Sequence, residues 1–143
     1  MKEMLLWKLK TAGIGVWLGI SAGIIAFVCM IMGATGKALL DNTGFGADII
    51  IFVIVGMLLS FAAFFLRFDF WQLIPTLFYS LAFGSVINGG AAVIMDKINN
   101  VVYSGGDFNS VVIYLVLFGI SCILSIVACF MRPSRQTKSE AIA

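Results

Sequence analysis

Four apolar stretches, at about 12–35, 49–66, 71–95 and 110–131, carry no Asp, Glu, Lys or Arg in their central parts. Each approaches or exceeds the roughly 18 residues that a membrane-crossing helix needs. Helix-compatible Leu, Ile, Ala, Phe and Met fill them, and a helix satisfies its own backbone N–H and C=O groups where no water can. The expected fold class is therefore all-α, a polytopic membrane protein with four transmembrane helices in one domain over 12–131. Residues 1–11 then form a cytoplasmic or interfacial N-terminus and 132–143 a cytoplasmic tail. The composition agrees: 62% of the 143 residues are apolar and 11% charged, against about 25% charged in soluble domains. Lys2, Lys8 and Lys10 before an apolar run also fit a secretory signal. That run exceeds a typical signal core and no small-x-small cleavage site precedes the first loop, so it is read as a span.

The basic residues orient the spans. Lys2, Lys8, Lys10, Arg67, Arg132, Arg135 and Lys138 fall on one side, and only Lys37 and Lys97 on the other. This bias puts both termini in the cytoplasm. With the acids included, the inner side carries +4 and the outer side −2. The formal +2 is thus a charge dipole across the membrane, not a nucleic-acid footprint. No Asn-x-Ser/Thr sequon or terminal lipidation signal occurs, which points to a bacterial plasma (inner) membrane.

Trp7, Phe68, Phe70 and Trp71 at the inner boundary, and Phe45, Tyr103 and Phe108 at the outer one, are expected as interfacial belt residues. Arg67 and Arg132, at inner helix ends, are expected to complement the helix dipoles and meet anionic headgroups. Asp48, Asp69 and Asp107 each stand where they could cap a following helix, and Asp69 with Gln72 has capping-box spacing. Pro75 should kink the third helix or mark its start after an interfacial turn.

Shifting the chain by 65 residues lays the first hairpin on the second without a gap. Gly19 meets Gly84, Ala26 meets Ala91, Met30 meets Met95, Ser60 meets Ser125 and Arg67 meets Arg132. A tandem repeat of two helical hairpins in the same orientation is expected, related by an axis along the membrane normal.

Chemistry is sparse. The chain has no histidine, which removes His-based triads and the commonest metal ligand. Cys29, Cys122 and Cys129 lie inside apolar stretches without a CxxC pair, as small buried residues. Proton-coupled carriers keep an ionisable group at membrane depth, and these spans hold none centrally. No catalytic, cofactor-binding or metal-binding residue is assigned, and no enzyme activity is expected.

Small and polar positions remain. Thr76, Ser80, Gly84 and Asn88 recur at four-residue steps, with Tyr79 beside them, and Ser121 and Ser125 follow on the fourth span. Thr76, Tyr79, Ser80, Asn88, Ser121 and Ser125 form a candidate polar seam. Gly15, Gly19, Gly23, Gly56, Ser60 and Gly84 are expected to pack helices closely through small-xxx-small faces. Asn88-Gly89-Gly90 marks either a local unwinding with free carbonyls or a close backbone approach. The chain therefore reads as a small channel or transport component acting as a homo-oligomer or with a partner. The alternative is a non-catalytic accessory subunit or assembly factor that binds another membrane protein.

Overall fold

The computed structural model describes residues 1–3, 6, 13–39, 41, 43–66 and 72–131. Trp7, Lys8, Lys10, Phe68, Phe70, Trp71, Asp69, the anchors Arg67 and Arg132, and the tail 133–143 lie outside the described residues. Four long helices make the fold: α1 (Ile14–Thr35), α2 (Ala47–Leu66), α3 (Leu73–Asn99) and α4 (Phe108–Phe130). No strand occurs among the described residues. Helices α1, α3 and α4 are each long and apolar enough to cross a membrane, and α2 is apolar through Ala47–Ala62.

The helices form an antiparallel ring in which α1 packs on α2 and α4, and α3 also packs on α2 and α4. The start of α1 lies against the end of α4, where Gly15 faces Met131. At the other end the Tyr114 hydroxyl donates to the Met32 carbonyl at 3.2 Å.

On α1 hydropathy does not separate inside from outside; side-chain size does. The buried face of α1 is Gly15, Gly19, Ala22, Gly23, Ala26, Cys29, Met30 and Gly33, a run of i, i+4, i+7 steps that lines one side of a helix. Its outward face carries Trp17, Ile24, Val28 and Ile31. Lipid tails are as apolar as leucine, so helix association in a bilayer rests on close packing, and small residues permit it. Large side chains then fill the centre: Tyr79, Phe118, Val53 and Val86 are all fully buried.

One end of the bundle is closed by two loops tied to each other. Asp41 N–H donates to the Ser104 carbonyl at 2.7 Å and Asp107 N–H to the Ala38 carbonyl at 3.1 Å. Ala38 and Leu39 are buried beneath this tie. Phe45 is buried as well, edge-on to Tyr114 with centroids 5.0 Å apart, and is not a belt residue. Its ring fills the space that a side chain on Gly33 would need. Tyr103, by contrast, is exposed.

The caps resolve differently. Asp107 caps α4, accepting from the Ser110 backbone N–H at 3.2 Å. Asp48 lies inside the first turn of α2 and not at its cap, where its charge still complements the helix dipole. Gln72 is itself the N-cap residue of α3 and makes no side-chain cap bond. Pro75 falls in the first turn of α3, where a missing N–H leaves no hydrogen bond unmade, so it marks the start of the helix.

The Ser110 hydroxyl, and behind it the Ser110 backbone N–H, hold the Asp107 carboxyl below the usual carboxylate range. A depressed carboxylate stabilises the fold above its unfolded pKa, and that contribution is lost as pH falls through its folded pKa. Asp107→Ala should therefore lower the unfolding temperature in detergent at pH 7, with the difference from wild type shrinking toward pH 3. Asp107→Asn should keep most of the cap, since both side chains accept from the same N–H groups.

The 65-residue shift matches environment in only half of the bundle. Ile49, Val53, Gly56 and Ser60 are buried in α2, as are Tyr114, Phe118, Ser121 and Ser125 in α4. Gly19, Ala26 and Met30 are buried in α1, whereas Gly84, Ala91 and Met95 are exposed in α3. In α3 the buried positions matching α1 are Tyr79, Ala82, Val86, Gly90 and Val93, sixty residues after Gly19, Ala22, Ala26, Met30 and Gly33.

Candidate functional site

The polar side chains separate into an enclosed set and an outward set. In the enclosed set, Thr76 donates to the Gln72 carbonyl at 2.9 Å, and its hydroxyl oxygen lies 2.7 Å from that of Ser125 and 3.2 Å from the Cys129 sulfur. With the Thr76 proton committed to the carbonyl, Ser125 and Cys129 are the donors to Thr76. Three hydrogen-bonding groups therefore tie the start of α3 to the end of α4.

Tyr79 is fully buried and shares a 3.1 Å hydrogen bond with Ser60 of α2. Its slot exists because two glycines face it. A Cβ on Gly56 would come within 2.8 Å of the ring, and one on Gly23 within 3.0 Å of the hydroxyl. Ser121, also fully buried, donates to the Ala22 carbonyl of α1 at 2.7 Å. Each of these hydroxyls is thus used up in joining helices. Gly15 and Gly19 are buried against Met131 and the Gln72 amide. Among the described residues one enclosed side-chain atom lacks a partner, the Gln72 amide nitrogen.

The four-residue ladder on α3 does not stay on one face. At 3.6 residues per turn each step of four advances about 40°, so Thr76 and Asn88 point about 120° apart. Thr76 is buried, Ser80 is exposed with its hydroxyl donating to the Thr76 carbonyl at 2.9 Å, and Gly84 and Asn88 are exposed. Gly84 packs no helix within the chain: nothing lies within 4 Å of where its Cβ would stand. Asn88 makes no side-chain hydrogen bond among the described residues, and neither does half-exposed Ser85 three residues earlier. Ser85 was not singled out by the four-residue spacing, because it lies off that ladder.

Helix α3 runs unbroken through Asn88-Gly89-Gly90. Neither reading of those glycines holds as stated: the helix is not unwound, and side chains rather than a neighbouring backbone approach it, since a Cβ on Gly89 would meet the Leu39 side chain at 3.2 Å and one on Gly90 the Val111 side chain at 2.7 Å. No carbonyl is released there to coordinate a solute.

Two clefts are lined by described residues. One, of about 70 Å³, lies between α1 and α2 over Gly19, Gly23 and Ser60. The other, of about 110 Å³, lies beside Asp96, Lys97 and Phe108 at the end of α3. Both are well short of the roughly 300 Å³ at which small-molecule sites begin. The Asp96 carboxylate is occupied by the Tyr103 and Ser104 backbone N–H groups, at 2.9 and 2.6 Å. No group of three or more metal-ligating side chains occurs among the described residues, and the three cysteines are free.

The chain matches no protein-family model, no curated protein and no solved structure. What it does must therefore be argued from its own geometry.

Proposed function

We propose that the chain is a non-catalytic membrane-embedded subunit, which docks on another membrane helix through the outward face of α3. The observation that carries this reading is Asn88, an exposed carboxamide without a partner among the described residues, inside the apolar stretch 71–95. An amide facing hydrocarbon unpaired costs roughly 2 kcal/mol or more. A neighbouring helix that supplies its hydrogen bonds removes that cost. The filled centre and the loop-closed outer end support the same reading, since the bundle has no use for Asn88 inside it.

In this reading all four helices cross the bilayer, α2 included, because its 20 residues reach about 30 Å, the thickness of the hydrocarbon core. Both termini face the cytoplasm of a bacterial plasma membrane, with Arg67 and Arg132 at the inner headgroups. The two hairpins descend from one repeat whose first helices have since changed register, which accounts for the matching environments of α2 and α4 under the 65-residue shift.

The transport reading keeps one specific support: an outward Asn88 would line a path between subunits. Flux separates the two. Reconstituted alone in liposomes, the protein should release ions and small polar solutes no faster than empty liposomes do. Flux above that background, abolished by Asn88→Leu, would replace the subunit reading with the transport one.

A further inference from the structure

We infer that the helix covering the outward face of α3 is α3 of a second copy, with the two Asn88 carboxamides paired across a two-fold axis along the membrane normal. This rests on the docking role proposed above and names the partner.

The outward faces of the other helices are bulky and apolar, with Val28 and Ile31 on α1, Leu58 and Phe61 on α2, and Ile120 and Ile123 on α4. Lipid satisfies such faces fully. The outward side of α3 also carries large apolar residues, Leu77, Leu81 and Ile87 among them, but it differs at two positions. At Gly84, near the middle of the apolar stretch, nothing stands within 4 Å of a Cβ position, and Ala91 two turns on is exposed and carries only a methyl group. A second backbone can approach there. One turn beyond Gly84, Asn88 presents its unpartnered carboxamide on the same exposed side.

Symmetry identifies the partner. Copies of one chain insert in the same orientation, so a two-fold axis along the normal brings each residue opposite itself at the same depth. A carboxamide both donates and accepts, so each Asn88 can donate to the carbonyl oxygen of the other. An unrelated helix would have to offer a donor and an acceptor at that particular depth, whereas a second copy does so by construction. The contact is isologous and therefore closes at two copies.

The test uses the full chain in liposomes over a range of protein-to-lipid ratios, with oxidative cross-linking and energy transfer between labelled copies. Gly84→Cys should give a covalent dimer, whereas wild type, with its three native cysteines, and Ile123→Cys on the outward face of α4 should not. Two reciprocal interhelical bonds imply that Asn88→Leu weakens self-association about tenfold or more, while Asn88→Gln, which keeps the donor and acceptor, stays within about threefold. A chain that remains monomeric at every ratio would overturn the pairing. If a photo-crosslinking residue at position 84, which needs no thiol on its target, captures only a different membrane protein in native membranes, the docking role survives and the second copy does not. If position 84 cross-links to nothing in either setting, both fail.

Discussion

Gly33→Leu is expected to unseat the loop-closed end of the bundle and lower stability by about 3 kcal/mol, combining overpacking with the loss of a buried aromatic contact. The Phe45 ring occupies the space beside Gly33 and also meets Tyr114 and Phe118, with centroids 5.0 and 6.0 Å away. A leucine cannot share that space, so Phe45 must leave. The 36–46 loop would move with it, because Phe45 N–H donates to the Gly33 carbonyl at 3.0 Å. Reversible unfolding in mixed micelles measures the loss. Phe45→Ala in the Gly33→Leu background should recover part of it, since the smaller residue frees the volume the leucine needs. A Gly33→Leu variant as stable as wild type would mean that the loop does not pack on α1 this way.

Phe118→Ala is expected to cost about 3 kcal/mol by the same measurement, mainly as the penalty of a cavity that the rigid surroundings only partly fill. Phe118 is fully buried at the bundle centre. In a bilayer the transfer of its ring from lipid to protein contributes little, so the cost reports lost packing contacts. Ile123, five residues on in the same helix and 62% exposed, provides the comparison. Ile123→Ala should change stability by less than about 0.5 kcal/mol, as outward substitutions commonly do. Equal effects at the two positions would contradict the assignment of faces on α4.

The positions of the helices and the Asp107 cap were legible in the sequence because they depend on local chemistry: unbroken apolar length, and a carboxylate placed before the helix start. The small-residue face of α1 was legible for a related reason, since Gly15, Gly19 and Gly23 repeat closely enough to stay on one side. What resisted reading was the facing of α3. Its buried residues include Pro75, Tyr79 and Val86, and its exposed ones include Ser80, Gly84 and Asn88, the reverse of what small-xxx-small packing suggests. In water an apolar stripe would have revealed the buried side, but here both sides are apolar and only shape distinguishes them. Phe45 was misplaced because an aromatic near a boundary is compatible with both belt and core; its burial depends on the absence of a side chain on Gly33, twelve residues away. The gapless 65-residue match likewise aligned the environments of α2 and α4 but not those of α1 and α3.

The central claim is that the outward face of α3 is covered by another membrane helix and that Asn88 holds it there. Extraction from the native membrane in polymer-bounded lipid nanodiscs, followed by native mass spectrometry, tests this directly. The account predicts that wild-type chain emerges in a defined complex and that Asn88→Leu releases it as a single folded chain. Wild-type protein that is solitary in its nanodisc, with Asn88→Leu indistinguishable from it, would contradict the account.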